Sequence, residues 1–195
     1  NHLLSRGPQV RLEAEIIRDA ALQASGLLST KMGGPGVYPP QPAGVTEVAY
    51  GGGSWNASEG EDRHRRSIYT FTKRTAPFAM FNTFDAPTGE SCIARRDVSN
   101  TPLQALTLLN DVLFMEVSQA MGRLLAAQPG SDQDRVRIAF RRCLTRPPAP
   151  AELDPIRAAL HSTDPARAAP PDAAAVQRGL RALLPDPGMI EFITA

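Results

Sequence analysis

Between residues 31 and 62, glycine and proline recur so densely that no helix or central strand can run through the segment. It contains Gly33–Gly36 (GGPG), Tyr38–Pro42 (YPPQP) and Gly51–Gly53 (GGG). Proline removes a backbone donor and glycine has a high entropic cost in a regular element, so this stretch must be irregular. The sequence therefore predicts a long Gly/Pro-rich loop over 31–62.

Two aromatic residues, Tyr38 and Trp55, stand among these glycines and prolines. They are either anchors that pack the loop back on the body of the protein or aromatic platforms for a ligand. An aromatic side chain buries a large apolar area and can keep one polar atom for a hydrogen bond, which suits both roles. We favour the anchor interpretation.

Apolar residues recur at helical spacing from Arg11 to Leu28, so the sequence predicts a first helix over 11–28. The predicted apolar face comprises Leu12, Ile16, Ile17, Ala20, Ala24, Leu27 and Leu28.

The strongest start signal in the chain lies at Thr101-Pro102-Leu103-Gln104. It combines a capping hydroxyl, a proline whose missing N–H costs nothing there, and a glutamine that can reach back to the cap. We predict a central helix over 101–126, with Asn110 buried on its apolar face. That face comprises Leu103, Leu106, Asn110, Leu113, Phe114, Val117, Met121 and Leu124.

Residues 132–195 are predicted to form further helices. Asp132 is a suitable cap for the first of them, and Arg146-Pro147-Pro148 ends it. Additional helices are expected over 151–160 and 173–184, separated by a Pro/Ala linker at 165–171.

Residues 67–84 contain two stretches with the composition of strands. Ser67–Thr72 alternates and is rich in β-branched and aromatic residues, and Phe78–Phe84 repeats this more weakly. The sequence predicts a small hairpin here. The expected fold class is therefore mainly α: a helical, bundle-like body with a small β-hairpin and a long Gly/Pro-rich loop.

The charge balance excludes several classes of partner. Twenty-one basic residues oppose twenty acidic ones, giving a net charge of +1. No overall field attracts nucleic acid, and no run approaches the roughly 18–20 apolar residues of a membrane-spanning helix. We predict neither a nucleic-acid partner nor a membrane-spanning segment.

The sequence also offers no metal or haem site in this segment. His2, His64 and His161 are dispersed without ligand spacing. Cys92 and Cys143 are either two unpaired thiols, which we favour, or a single disulfide, and neither belongs to a Cys-x-x-Cys-His motif. We predict no cofactor and no catalytic residue here.

A concentration of cationic residues is the main candidate for a binding site, because guanidinium groups bind carboxylate and sulfate with fixed geometry. We favour the alternative, in which these residues form ordinary salt bridges with Asp62, Asp85, Glu90 and Asp97. Asp85 itself is either a general base or, as we favour, a turn cap. The predicted ligand-binding residues are Arg65, Arg66, Lys73, Arg74, Asp85, Arg95 and Arg96, with Arg63 beside them.

Several strings carry a resemblance to a known family. They include Arg65–Phe71 (RRSIYTF), Phe84–Pro87 (FDAP), Asn100–Leu106 (NTPLQAL) and Thr145–Pro148 (TRPP). The chain resembles the planctomycete-type domain of unknown function, the PSD family, found C-terminal to planctomycete cytochrome C-like domains. It departs from that family at His64, where a tyrosine is frequent, and at Thr72, where a tryptophan is frequent.

The resemblance implies that residues 1–195 are the C-terminal part of one domain in a larger exported polypeptide of the periplasm or cell envelope. Its partners would be upstream domains of the same polypeptide, which carry c-type haem, and an anionic glycan. We expect a non-catalytic scaffold or anionic-ligand binding module. The alternative is an enzyme that acts on an anionic polysaccharide in an arginine-lined pocket.

Overall fold

The computed structural model describes residues 10–42 and 55–160. The chain divides into two compact units, residues 1–147 and 148–195. The expectation that the chain is the C-terminal part of one domain stays a prediction. In the described part, no helix is both long enough and apolar enough to cross a membrane.

The described residues are mainly helical, which confirms the predicted fold class at this level. Two short 3₁₀ turns, Gly60–His64 and Ser67–Tyr69, lie between the first two helices. The first unit contains α1 (Ala14–Ser25), α2 (Ala79–Thr83), α3 (Pro102–Asn110), α4 (Val112–Ala126) and α5 (Asp132–Leu144), and the second contains α6 (Pro150–Leu160).

Helix α1 lies at the centre of the first unit and packs against α2, α4, α5 and the second 3₁₀ turn. Its buried stripe is Ala14, Arg18, Leu22 and Ser25, whereas Ile16 is 47% exposed. The buried face of α1 is therefore rotated relative to the predicted apolar face, and a charged residue, Arg18, lies in its middle. The core comprises Ala14, Leu22, Phe78, Met80, Phe84, Leu113 and Phe114.

The predicted central helix over 101–126 is in fact two helices that meet at Asp111. This residue has an extended backbone, and its carboxylate accepts a hydrogen bond from Leu113 N at 2.9 Å. An N-cap inside the periodic run ends α3 and begins α4. Asn110 is exposed rather than buried, because it lies in the last position of α3, where its Nδ2 donates to Leu106 O. The capping box of Thr101 and Gln104 is confirmed.

The predicted hairpin over 67–84 is wrong. Residues Ser67–Tyr69 form a 3₁₀ turn, and Ala79–Thr83 form helix α2. The only pairings in the described part are two isolated parallel bridges, Ser29 with Arg65 and Val37 with Thr70. The spacing of Phe78, Phe81 and Phe84 also fits a helix, so composition misled the assignment.

The described parts of the Gly/Pro-rich segment, 31–42 and 55–62, contain no helix or strand other than the 3₁₀ turn that begins at Gly60. Trp55 packs against the core and stacks on Phe78 with ring centroids 5.8 Å apart, and its Nε1 donates to Pro39 O. Tyr38 meets Trp55 edge to face at 5.2 Å. These contacts match the anchor interpretation of both residues.

Helix α5 begins one residue after Ser131, which forms a capping box with Asp134, so Ser131 rather than Asp132 is the cap. Helix α6 agrees with the predicted helix over 151–160 to within one residue. The linker at 165–171 and the helix over 173–184 lie outside the described residues.

Candidate functional site

Two arginines of the first unit are buried and bind backbone carbonyl groups. The guanidinium of Arg18 donates to Arg65 O at 2.7 Å, to Arg63 O at 3.1 Å and to Ser67 Oγ at 3.3 Å. Asp19 accepts hydrogen bonds from Ser67 N and Ser67 Oγ. Burial lowers the pKa of Arg18 to about 10, with Asp19 opposing the shift. The adjacent pair on α1 therefore holds residues 63–67 in place.

Arg65, a predicted ligand-binding residue, is only 1% exposed. Its guanidinium lies 3.8 Å from the centre of the Tyr69 ring and donates to Pro35 O at 3.1 Å and to Gly33 O. Gly33 accepts this hydrogen bond with a φ of +73°, a backbone conformation that glycine adopts without strain and a residue with a side chain does not. Arg65 thus fastens the Gly/Pro-rich loop.

The other predicted cations near Arg65 do not gather with it around a cavity. Arg63 forms an ion pair with Glu116 of α4, whose carboxylate also lies 3.3 Å from His64 Nε2. Arg66 is exposed beside Met32, and Arg74 is also exposed. Lys73 is half-buried and does not line the cavity described below.

Three of the predicted residues do come together, in a surface cavity of about 500 Å³. Asp85, Arg95 and Arg96 line it, joined by Arg11 and Glu13 from the chain just before α1. We call this the Arg95 cavity. Its remaining lining is Leu12, Phe84, Pro87, Ile93, Ala94, Asp97 and Val98.

The two arginines that follow each other in this cavity have different roles. Arg96 binds Glu15 through two hydrogen bonds of 2.6 and 3.1 Å, and Glu13 lies 3.6 Å away. Burial works to raise the pKa of Glu15, but the hydrogen bonds from Arg96, a backbone hydrogen bond and the charge of Arg96 together outweigh it, and the pKa is lowered. Arg95 has no acidic partner among the residues that the structure describes. Its guanidinium is therefore free for a ligand.

Asp85 fastens the segment that forms one wall of the cavity. It has a φ of +62°, and its carboxylate accepts hydrogen bonds from Ser99 N at 2.8 Å and Ser99 Oγ at 2.7 Å. Buried Gln104 lies 3.4 Å away and also accepts a hydrogen bond from Arg11. The hydroxyl and then the amide of Ser99 lower the pKa of Asp85, with Arg11 and Gln104 adding to the effect.

The favoured salt-bridge prediction is right that Arg63 and Arg96 form ion pairs but wrong about the acids, because none of the four predicted ones is their partner. The acids that pair with Arg96 and Arg63 are Glu13, Glu15 and Glu116, whereas Asp62 pairs with Lys31. The cavity contains three arginines and three carboxylates, so it is charge-balanced rather than basic.

In the described part of the chain, no group of three His, Cys, Asp or Glu residues could hold a metal ion. Cys92 and Cys143 are exposed free thiols.

The sequence did not indicate the roles of Arg18 and Arg11, and it indicated Gln104 only as part of the capping box, not as a contact of Arg11 and Asp85. A charged residue within an amphipathic pattern is normally assigned to solvent, so only the position of Arg18, four residues after Ala14 and four before Leu22, pointed to burial. Arg11 meets Gln104 across 93 positions of sequence, and no local signal indicates that contact.

The first unit is a mainly helical domain whose longest loops are fastened by buried arginines and which carries a charged surface cavity. Within the described residues it contains no recognisable metal site. The chain belongs to the family PSD1, described as a protein of unknown function (DUF1553). The family model matches residues 1–160, a range that contains every residue lining the Arg95 cavity. Comparisons with curated proteins and with solved structures give no match.

Proposed function

We propose that this domain is a non-catalytic module that binds an anionic group, such as the carboxylate or sulfate of a glycan, in the Arg95 cavity. The observation that carries the proposal is the free guanidinium of Arg95 in a cavity of about 500 Å³. A cavity of this size falls within the usual range of ligand sites. Arginine binds planar anions through two parallel hydrogen bonds.

The state of Asp85 supports a binding role over a catalytic one. A general acid or general base works best with a pKa near the operating pH, whereas hydrogen bonds from Ser99 lower the pKa of Asp85 further from neutrality. Both carboxylate oxygens are occupied by Ser99, so a proton transfer through Asp85 would break the contacts that hold the wall.

An enzyme acting on an anionic polysaccharide is the second candidate. It is favoured by Glu13 and Asp97, which line the same cavity and supply carboxylates besides Asp85. Glycoside hydrolysis uses two carboxylates that flank the scissile bond, so a cavity with several of them is compatible with that chemistry.

We test the two candidates by calorimetric titration with carboxylated, sulfated and neutral oligosaccharides, followed by chromatography of each mixture. The binding module predicts heat with charged oligosaccharides, no new products, and loss of binding in Arg95→Ala. The matched control is Arg74→Ala, which removes an exposed arginine outside the cavity and leaves binding unchanged. Cleavage products that disappear in Asp97→Asn would establish the enzyme instead.

We further propose that the domain serves within a larger exported protein of the periplasm or cell envelope, whose upstream modules carry c-type haem. The support is the resemblance to domains that follow cytochrome C-like modules. Cell fractionation would test the location, and the reduced haem spectrum of the full-length protein would test the cofactor. A cytosolic protein without haem absorbance contradicts both points.

A further inference from the structure

The lining of the Arg95 cavity divides evenly into charged and apolar residues. Six of its twelve lining residues are charged and six are apolar. A site built only for a highly charged glycan has no need of so much apolar surface, because such a ligand is recognised through its charges and hydroxyl groups. The apolar half therefore carries information about the ligand.

The apolar residues that line the cavity are open to solvent. Leu12 is 47% exposed, Ile93 is 48% exposed and Val98 is 63% exposed. Covering apolar surface of this kind is favourable by about 25 cal/mol for each Å² removed from water. A ligand with an apolar body would bury these side chains.

The charged half of the lining accommodates only one anionic group. Arg96 is bound to Glu15, and Arg11 donates to Gln104 and lies close enough to Asp85 for its charge to lower the pKa of that carboxyl. Arg95 is therefore the one arginine of the lining that has neither a hydrogen bond nor an ion pair with a described residue. Glu13, Asp85 and Asp97 line the same space, so a ligand with several anionic groups would bring some of them close to carboxylates. Like charges brought together across an interface oppose binding.

We propose that the Arg95 cavity selects a ligand with one anionic group on an apolar body and discriminates against polysulfated ligands. The inference rests on the proposed anion-binding function of the same cavity. The single anionic group binds Arg95, and the apolar body covers Leu12, Ile93 and Val98.

The test uses three probes with the full chain: 4-phenylbutyrate, its neutral analogue 4-phenylbutyramide, and a trisulfated disaccharide. The expected result is binding of 4-phenylbutyrate about tenfold or more tighter than either of the others, the scale of one charge-assisted hydrogen bond. Arg95→Ala abolishes the difference between acid and amide. Val98→Ser weakens binding of both without removing that difference.

Asp97→Asn tests the discrimination against polysulfated ligands separately from anion binding by Arg95. Removing this carboxylate strengthens binding of the trisulfated disaccharide several-fold, whereas the matched control Glu90→Gln, an exposed acid outside the cavity lining, leaves it unchanged. If the trisulfated disaccharide binds the native chain more tightly than 4-phenylbutyrate, and does so through Arg95, the selectivity is wrong while the anion-binding function stands. If neither anion binds the folded chain, both proposals fail.

Discussion

Buried arginines supply hydrogen bonds to loops that contain few of their own. Arg18 is fully buried and donates to the carbonyl groups of Arg63 and Arg65, and Arg65 donates to those of Pro35 and Gly33. Buried carbonyl groups need hydrogen-bond partners, and only two isolated bridges provide strand-like pairing in the described part of the chain. The two side chains thus link α1 to the Gly/Pro-rich loop.

Arg18→Met should destabilise the fold strongly, because methionine fills similar space but leaves the three acceptors of Arg18 without their donor. We expect the free energy of unfolding to fall by about 2–4 kcal/mol, measured by urea denaturation. The control Arg137→Met removes an exposed arginine from α5 and should change it by less than about 0.5 kcal/mol. Equal effects of the two substitutions would show that Arg18 is not a structural link.

Asp85 should make stability depend on pH in the acid range. Its pKa is lower in the folded state than in the unfolded chain, so its stabilising contribution is complete above the usual carboxyl pKa of about 4. That contribution is lost as pH falls below this value and through the lowered folded pKa. Asp85→Asn, which tolerates the positive φ, should therefore be less stable than the native chain at pH 7.

The urea midpoints of the native chain and of Asp85→Asn should converge as pH falls from 5 to 3. Comparing the two proteins at each pH removes the contributions of Glu15 and Glu116, whose pKa values are also lowered. A constant difference between the two midpoints would mean that Asp85 does not stabilise the fold through its charge.

At the level of elements, the junction at Asp111 determines where α3 ends and α4 begins. The helical period of the sequence continues through this residue, yet its extended backbone and its hydrogen bond from Leu113 N interrupt the helix. Periodicity reports which faces are apolar, whereas it is insensitive to a cap placed within the run. The sequence therefore predicted the helical content of 101–126 and missed the break.

Replacing the cap at this junction should loosen the first turn of α4. Asp111→Ala should lower the free energy of unfolding by about 1 kcal/mol, the usual value of an N-cap. It should also accelerate amide hydrogen exchange at Leu113. Asp111→Ser keeps a capping oxygen and should behave like the native chain. If the alanine and serine variants exchange at the same rate, the junction does not depend on the cap.

The segment over 67–84 shows why composition alone was insufficient. Its alternating residues suggested a strand, but Ser67 is held by Asp19 in a turn and Ile68 is 76% exposed. Within the described residues, the segment meets a neighbouring backbone only at Val37, which bonds to Tyr69 and Phe71, whereas Thr70 N bonds to Ser67 O within the turn. Contacts with α1 override the local preference for a strand.

At the scale of the whole first unit, the Arg95 cavity is assembled from three separate stretches: 11–13, 84–87 and 93–98. The sequence indicated Asp85, Arg95 and Arg96 because acidic and basic residues cluster locally there. It could not indicate Arg11 or Glu13, which arrive through the packing of α1. The sequence also predicted Arg65 to be a ligand-binding residue, because local composition does not distinguish a buried arginine from an exposed one.

The proposed function requires that an anionic ligand binds in the Arg95 cavity rather than among the other cations. Chemical-shift mapping of the ¹⁵N-labelled chain during titration with 4-phenylbutyrate, and separately with a uronic acid oligosaccharide, tests this directly. We predict that at least one probe shifts the amide signals of 11–13 and 93–98, and that Arg95→Ala removes these changes. Shifts confined to 63–74, or none from either probe, would contradict the account.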